Sequence, residues 1–286
     1  FFEWGIRTLT FDLELQSGEL AQALAVLGRA SPAGPEGLEK RLQERGVTHV
    51  HVDLLAGAGE PQAIAPVEAY AAAMRVSEEM RQTVAEGAPA NVRRLRHVTQ
   101  AVVDQILRDP QSLVALTTIK EFDRYLISHS TNVAVLSVLL GQRLGLSKAR
   151  LGELCLAAFL HDAGKLEIRG EVLNKPGNLT AEEWEEMRRH PTLAARTLLG
   201  MQRLTQAGMR AVVVAFEHHL RYDLTGYPPT QIKDSVTLFG QIVAIADVYD
   251  ALTTARVYRK NNFTPYEALQ YLMANAGTQF EPLLVK

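Results

Sequence analysis

The chain has 286 residues, of which 47% are hydrophobic and 22% charged, and its formal net charge is −2. That composition suits a globular protein with one large or two modest domains and a sizeable core. It excludes a global electrostatic pull toward nucleic acid or an anionic membrane, and the longest apolar runs, such as 133–140, are far too short for the ~20 residues that a bilayer span needs.

The single cysteine, Cys155, rules out an intrachain disulfide, favours a cytoplasmic compartment and is read as a small core residue. No basic-then-apolar leader opens the chain, although it begins at Phe1 rather than Met, which leaves room for a sensor or membrane segment upstream.

Residues 1–64 read as a smaller mixed α/β region. The stretch "VTHVHVDLL" (47–55) alternates like a strand, and "ASPAGPEG" (30–37) is a Gly/Pro loop. His49 and His51 share one face of that strand. They are read as a surface or partly buried pair rather than as ligands, because no cysteine or acidic cluster accompanies them. "AGAGEP" (56–61) marks a break.

Residues 65–111 read as connecting helices, over 67–86 and 92–107, with a turn at "GAPA" between them. Arg93, Arg94, Arg96 and His97 on the second are taken as a solvated face, since no aromatic residues are interleaved as single-stranded nucleic acid would require. The position of these helices suits a homodimer contact.

From 112 to 286 the pattern is helix after helix, so the fold class is mainly α. Phe122, Tyr125, Leu126, His129, Val133, Leu136 and Leu140 keep 3–4 spacing, which puts His129 on a buried stripe. Ser147 can cap the next helix, which ends at "HDAG" (161–164). Thr180 and Glu183 form a capping-box pattern for a helix running to His190, with Pro191 as its stop. A helix over 208–220 ends in His218 and His219, and one over 242–252 carries Asp247 and Asp250.

Five of the eight histidines, at 129, 161, 190, 218 and 219, thus fall at or near the ends of apolar helices. Any one alone reads as a core histidine bonded to a carbonyl. Together with Asp162 and Asp247 they form the mixed nitrogen–oxygen donor set that Mn²⁺, Fe²⁺ or Zn²⁺ takes. Seven ligands exceed what one ion with an open position needs and suit two ions sharing a carboxylate. Asp162 is the choice for that bridge, because neighbours on a helix diverge by about 100° and so serve adjacent metals. Lys165, one turn beyond His161, is placed to offset phosphoryl charge.

These pieces, in order, resemble the HD-GYP family of HD-type metal phosphohydrolases: "HS" (129–130), "HDAGK" (161–165), "LNKPGNLT" (173–180), "HP" (190–191), "HH" (218–219), "GYP" (226–228), "ADVYDALTTARVYR" (246–259) and "FEP" (280–282). The match covers roughly residues 120–286. The resemblance implies an all-helical domain that hydrolyses cyclic di-GMP to pGpG or GMP through a metal-bridging hydroxide, with iron or manganese. It makes His129, His161, Asp162, His190, His218, His219 and Asp247 the metal ligands. It sets Lys165 near the scissile phosphate, gives Gly226, Tyr227 and Pro228 to the guanine pocket, and brings Arg256 and Arg259 to phosphate.

Departures from the family pattern fall on the substrate side. Leu220 stands where relatives have Glu, Leu224 where they have Gly, and Tyr125 where some carry the Glu of a third metal. They leave open a different cyclic dinucleotide such as cyclic GMP-AMP, or a receptor that binds without cleaving. The expected partner is a cyclic dinucleotide, not a nucleic-acid polymer.

Overall fold

The computed structural model describes residues 6–11, 17–28, 36–54, 65–85, 92–118, 125–200, 205–231, 235–254 and 262–286. It divides into two compact units, 1–63 and 64–286.

In the first unit, strand β1 (Ile6–Phe11) pairs antiparallel with β2 (Val50–Leu54), Phe11 opposite Val50 and Thr10 opposite His51. Helices α1 (Ser17–Gly28) and α2 (Glu36–Glu44) lie between them in the chain, and Ala23, Val26, Leu42, Val47 and Val50 are buried. His49 sits just before β2. Its Nδ1 lies 2.8 Å from Glu19 Oε2 and its backbone N–H donates to Glu19 Oε1 at 2.7 Å. Those bonds hold the Glu19 carboxyl down at about 2, so this histidine is tied to a carboxylate.

Among its described residues the second unit consists of helices and the turns and loops that join them, with two isolated bridges, Leu220–Gly226 and Ala276–Phe280. Its elements are α3 (Pro66–Ala85), α4 (Val92–Arg108), α5 (Pro110–Thr117), α6 (Tyr125–Arg143) and α7 (Lys148–Leu160), followed by a 3-10 turn at Ala163–Glu167. The short helices α8 (Gly170–Leu173) and α9 (Ala181–Met187) lead to α10 (His190–Gly200), α11 (Gln206–Glu217), α12 (Leu238–Thr253) and α13 (Pro265–Ala274). None of the described helices is long and apolar enough to cross a membrane.

Helix starts follow local chemistry. Ser147, Thr180, Thr205, Thr237 and Thr264 each accept a backbone N–H from the first turn they precede, and Thr180 and Thr264 complete capping boxes with Glu183 and Glu267. Helix α7 is central: Leu151, Leu154, Cys155, Leu156, Ala157, Ala158, Phe159 and Leu160 are all buried. A helix surrounded by α4, α6, α11 and α12 needs no polar face over these turns, which is why its apolar run has no clean amphipathic period.

One helix departs from the expected bounds. The capping box predicts a helix reaching His190 with Pro191 as its stop, yet α9 closes at Met187 and Pro191 is the second residue of α10. Proline lacks the N–H that has no intrahelical acceptor in a first turn, so it opens a helix as readily as it ends one.

A candidate metal centre between helix ends

Three of the histidines are oriented by one local device. The Nδ1 atoms of His161, His190 and His218 lie 2.6, 2.8 and 2.8 Å from the carbonyls of Ala158, Met187 and Ala215, each three residues earlier. Those carbonyls belong to the last turns of α7, α9 and α11, where intrahelical donors have run out. Each carbonyl fixes the proton on Nδ1 and turns Nε2 inward as a lone pair, the tautomer a metal ligand needs.

His129, in the second turn of α6, uses a carboxylate instead: its Nδ1 is 2.7 Å from Asp250 Oδ2, and its Nε2 is 3.0 Å from Asp247 Oδ1. The chain thereby brings seven predicted side chains to one place. His129, His161 and Asp162 form one compact group of ligand atoms, and His190, His218 and His219 a second.

Asp162 faces both groups. Its Oδ2 is 3.3 Å from His161 Nε2 and 3.6 Å from His129 Nε2, while Oδ1 is 3.4 Å from His190 Nε2 and 3.8 Å from His218 Nε2. The Lys165 ammonium donates to Oδ2 at 2.6 Å. Burial would raise the Asp162 pKa, but the Lys165 charge and the adjoining imidazoles hold it well below the carboxylate range. Burial likewise opposes Asp247, yet the hydrogen bond and charge of His129 keep it ionised.

The imidazoles split by environment. Burial lowers His190 to about 3 and His219 to about 4, and it holds His218 well below its ordinary value, so all three are neutral at pH 7. Burial also acts against His129 in the charged form, but Asp247 and Asp250 outweigh it and raise its pKa to about 9.

The donor set fits divalent metal. Among the described residues, His161 Nε2 and Asp162 Oδ1 are buried and have no hydrogen-bond partner, a situation that costs about 1–3 kcal/mol for each polar group left so. Nε2 of His190 and Nε2 of His218 lie 3.2 Å apart with both Nδ1 protons already committed to carbonyls. Two lone pairs at that separation repel unless a cation stands between them.

The remaining predicted residues are placed as follows. Gly226 takes a φ of 100°, and a Cβ there would meet the His219 carbonyl at 2.4 Å, so only glycine lets this loop close on the histidine pair. The Tyr227 ring stacks on His219 with centroids 4.5 Å apart, and Pro228 is buried and joined to it by a cis peptide. Leu224, at the expected glycine, adopts a left-handed φ of 61°, held by its N–H to Arg221 O at 2.9 Å and by the Asp223–Thr225 bonds that follow. Leu220 is buried at 4% exposure and bridges to Gly226. Arg256 and Arg259 lie outside the described residues, as does Phe122, and the Tyr125 side chain is not described.

Asp250 carries a role that the sequence reading did not assign. Its signal was present in "DVYD", where i, i+3 spacing sets both carboxylates on one face of α12.

A family model described as HD domain matches residues 111–284. The chain is 34% identical over 270 residues to cyclic di-GMP phosphodiesterase PA4108 of Pseudomonas aeruginosa, covering 94% of this chain and 60% of that protein. It is 37% identical over 160 residues to 3′3′-cGAMP-specific phosphodiesterase 2 of Vibrio cholerae, covering 56% of this chain and 30% of that protein. The chain thus spans less than two thirds of either relative. Among solved structures it resembles Bd1817, an HDG"Y"P protein from Bdellovibrio bacteriovorus, with a TM-score of 0.62 at 20% identity over 87% of this chain and 78% of that one. At that identity the likeness concerns the fold.

Proposed function

The chain belongs to the HD-domain family, and from that premise we propose that it is a phosphodiesterase of cyclic dinucleotides, with cyclic di-GMP as substrate and pGpG or GMP as product. The observation that carries this reading is the carboxylate of Asp162 lying between two groups of inward-facing imidazoles.

In this reading His129, His161, Asp162 and Asp247 hold one divalent cation and His190, His218, His219 and Asp162 the other. The all nitrogen–oxygen donor set, without thiolate, suits iron or manganese. Bound there, two such ions supply Lewis acidity and a water activated at neutral pH.

The chain's own residues do the rest. Asp162 and Asp247 stay ionised at neutral pH and so hold charge for the cations without proton loss. The Lys165 ammonium, 19% exposed and one turn from the centre, offsets charge that builds on a phosphoryl oxygen. The loop of Gly226, Tyr227 and Pro228 walls one side beside His219 and receives a guanine base. Arg256 and Arg259 supply forks for the phosphates.

A second substrate, 3′3′-cGAMP, is favoured by the Vibrio relative named for it and by Leu220 and Leu224 in the substrate loop. The test is to purify the full chain without oxygen, measure metal content, and supply cyclic di-GMP and 3′3′-cGAMP in parallel. About two Fe or Mn per chain with faster turnover of cyclic di-GMP is the expected result, and faster cGAMP cleavage selects the second substrate. Metal with tight nucleotide binding and no product identifies a receptor; absence of metal removes the mechanism.

The lysine separates charge compensation from metal holding. Lys165→Met is expected to retain its metal and lose turnover by roughly 10²–10³-fold, the range seen when one transition-state charge donor is removed. Loss of metal in this variant would instead make Lys165 a structural counter-ion of Asp162.

A further inference from the structure

Behind His129 runs a chain of buried polar contacts that leaves the family-matched segment. Tyr70 of α3, at 8% exposure, donates its hydroxyl to Asn132 Oδ1 at 2.6 Å. Asn132 lies one turn after His129 on α6 and donates Nδ2 to Asp250 Oδ1 at 2.8 Å. Thr254 Oγ1 donates to the same oxygen at 3.2 Å, and the other oxygen, Oδ2, meets His129 Nδ1 at 2.7 Å. Asn132, Asp250 and His129 are each at most 2% exposed.

We infer that Tyr70 is a positioning residue for the metal centre, acting through Asn132 and Asp250 on the ring of His129. This inference rests on the metal-centre reading above. The physical argument turns on the amide. Asp250 is an acceptor only, so Asn132 must present Nδ2 to it and Oδ1 away from it, into the buried interior. The Tyr70 hydroxyl meets Oδ1 there.

That donation also withdraws charge from the amide and strengthens the Nδ2 bond to Asp250. Without the hydroxyl, Asn132 relieves its unmet acceptor by turning, and turning breaks the bond that fixes the Asp250 carboxylate. The ring it holds then loses its fixed direction toward the site. Direct partners of ligating histidines alter metal affinity about 10–100-fold, and a residue two bonds farther back should act more weakly.

Ser77 provides the control. It stands on the same helix and its Oγ approaches Thr131 Oγ1 of α6 at 3.4 Å, so Ser77→Ala removes a hydroxyl from the same helix pair without touching the Asn132–Asp250 path.

The experiment titrates the chelator-treated full chain with Mn²⁺ alone in a calorimeter. Tyr70→Phe is expected to weaken one binding step about 3–10-fold, while Ser77→Ala stays within about twofold of the parent. In an Asp250→Asn background, Tyr70→Phe should add less than about twofold, because the path is already cut. Parent-like affinity in Tyr70→Phe overturns the inference, as does an equal loss in Ser77→Ala or an undiminished Tyr70 effect in the Asp250→Asn background. A parent chain that takes up no Mn²⁺ overturns the metal-centre reading itself, a result distinct from all of these.

Discussion

Asp162→Asn is expected to empty the centre of metal and to lower cyclic-dinucleotide turnover by about 10³-fold or more while the chain stays helical. The amide has the carboxylate's shape, so packing around a side chain of 8% exposure is retained. What it loses is charge and symmetry. Asp162 offers an anionic oxygen to each imidazole group, Oδ2 toward His161 and His129 and Oδ1 toward His190 and His218. An asparagine offers one neutral oxygen and, on the other side, an N–H₂ that repels a cation. Metal analysis and far-UV circular dichroism on the same sample check the expectation. Retention of metal with turnover within about tenfold of the parent would show that the two groups do not share this carboxylate.

The second large effect is steric. A Cβ on Gly164 would sit 2.0 Å from the His190 carbonyl oxygen and 2.4 Å from the Ala194 nitrogen. Both obstacles are backbone, so no side-chain rotation relieves them. Gly164→Ala must therefore push the 3-10 turn and α10 apart, which carries His190 away from Asp162. Overpacking typically costs about 1–3 kcal/mol. With backbone on both sides the upper end is expected, about 3 kcal/mol, or a fall of roughly 10 °C in the thermal midpoint.

Gly152→Ala on α7 is the matching control. Nothing lies within 4 Å of its added Cβ, and alanine is favoured over glycine in a helix interior by about 0.8–1.0 kcal/mol. A small rise is expected there. A Gly164→Ala chain as stable as its parent would mean that the turn and α10 are not held at contact distance.

These two expectations differ in how they were reached. Asp162 was singled out in the sequence, since an imidazole and a carboxylate side by side at the end of an apolar helix recur with histidines at other helix ends. Gly164 carries no such signal. A glycine after "HDA" reads as a helix end, and only the approach of α10 from more than twenty positions away makes its missing side chain necessary.

Asp250 is intermediate. Its spacing from Asp247 was visible, but its partnership with His129 joins α12 to α6 across 121 positions. Pro191 shows the converse limit, because the same residue type starts and stops helices and local sequence does not choose between them.

By itself, then, the amino-acid sequence determined the helical class of residues 112–286, the capped helix starts at Ser147 and Thr180 and the residue types of the candidate donor set, because each of these is written in spacing or residue type within one or two turns. The tertiary structure alone decided which imidazoles face one another, which oxygen of Asp162 meets which group, that Leu220 turns inward, and that Tyr70 lies behind His129. Those are distances between elements far apart in the chain, fixed by how helices pack, and no local pattern encodes them.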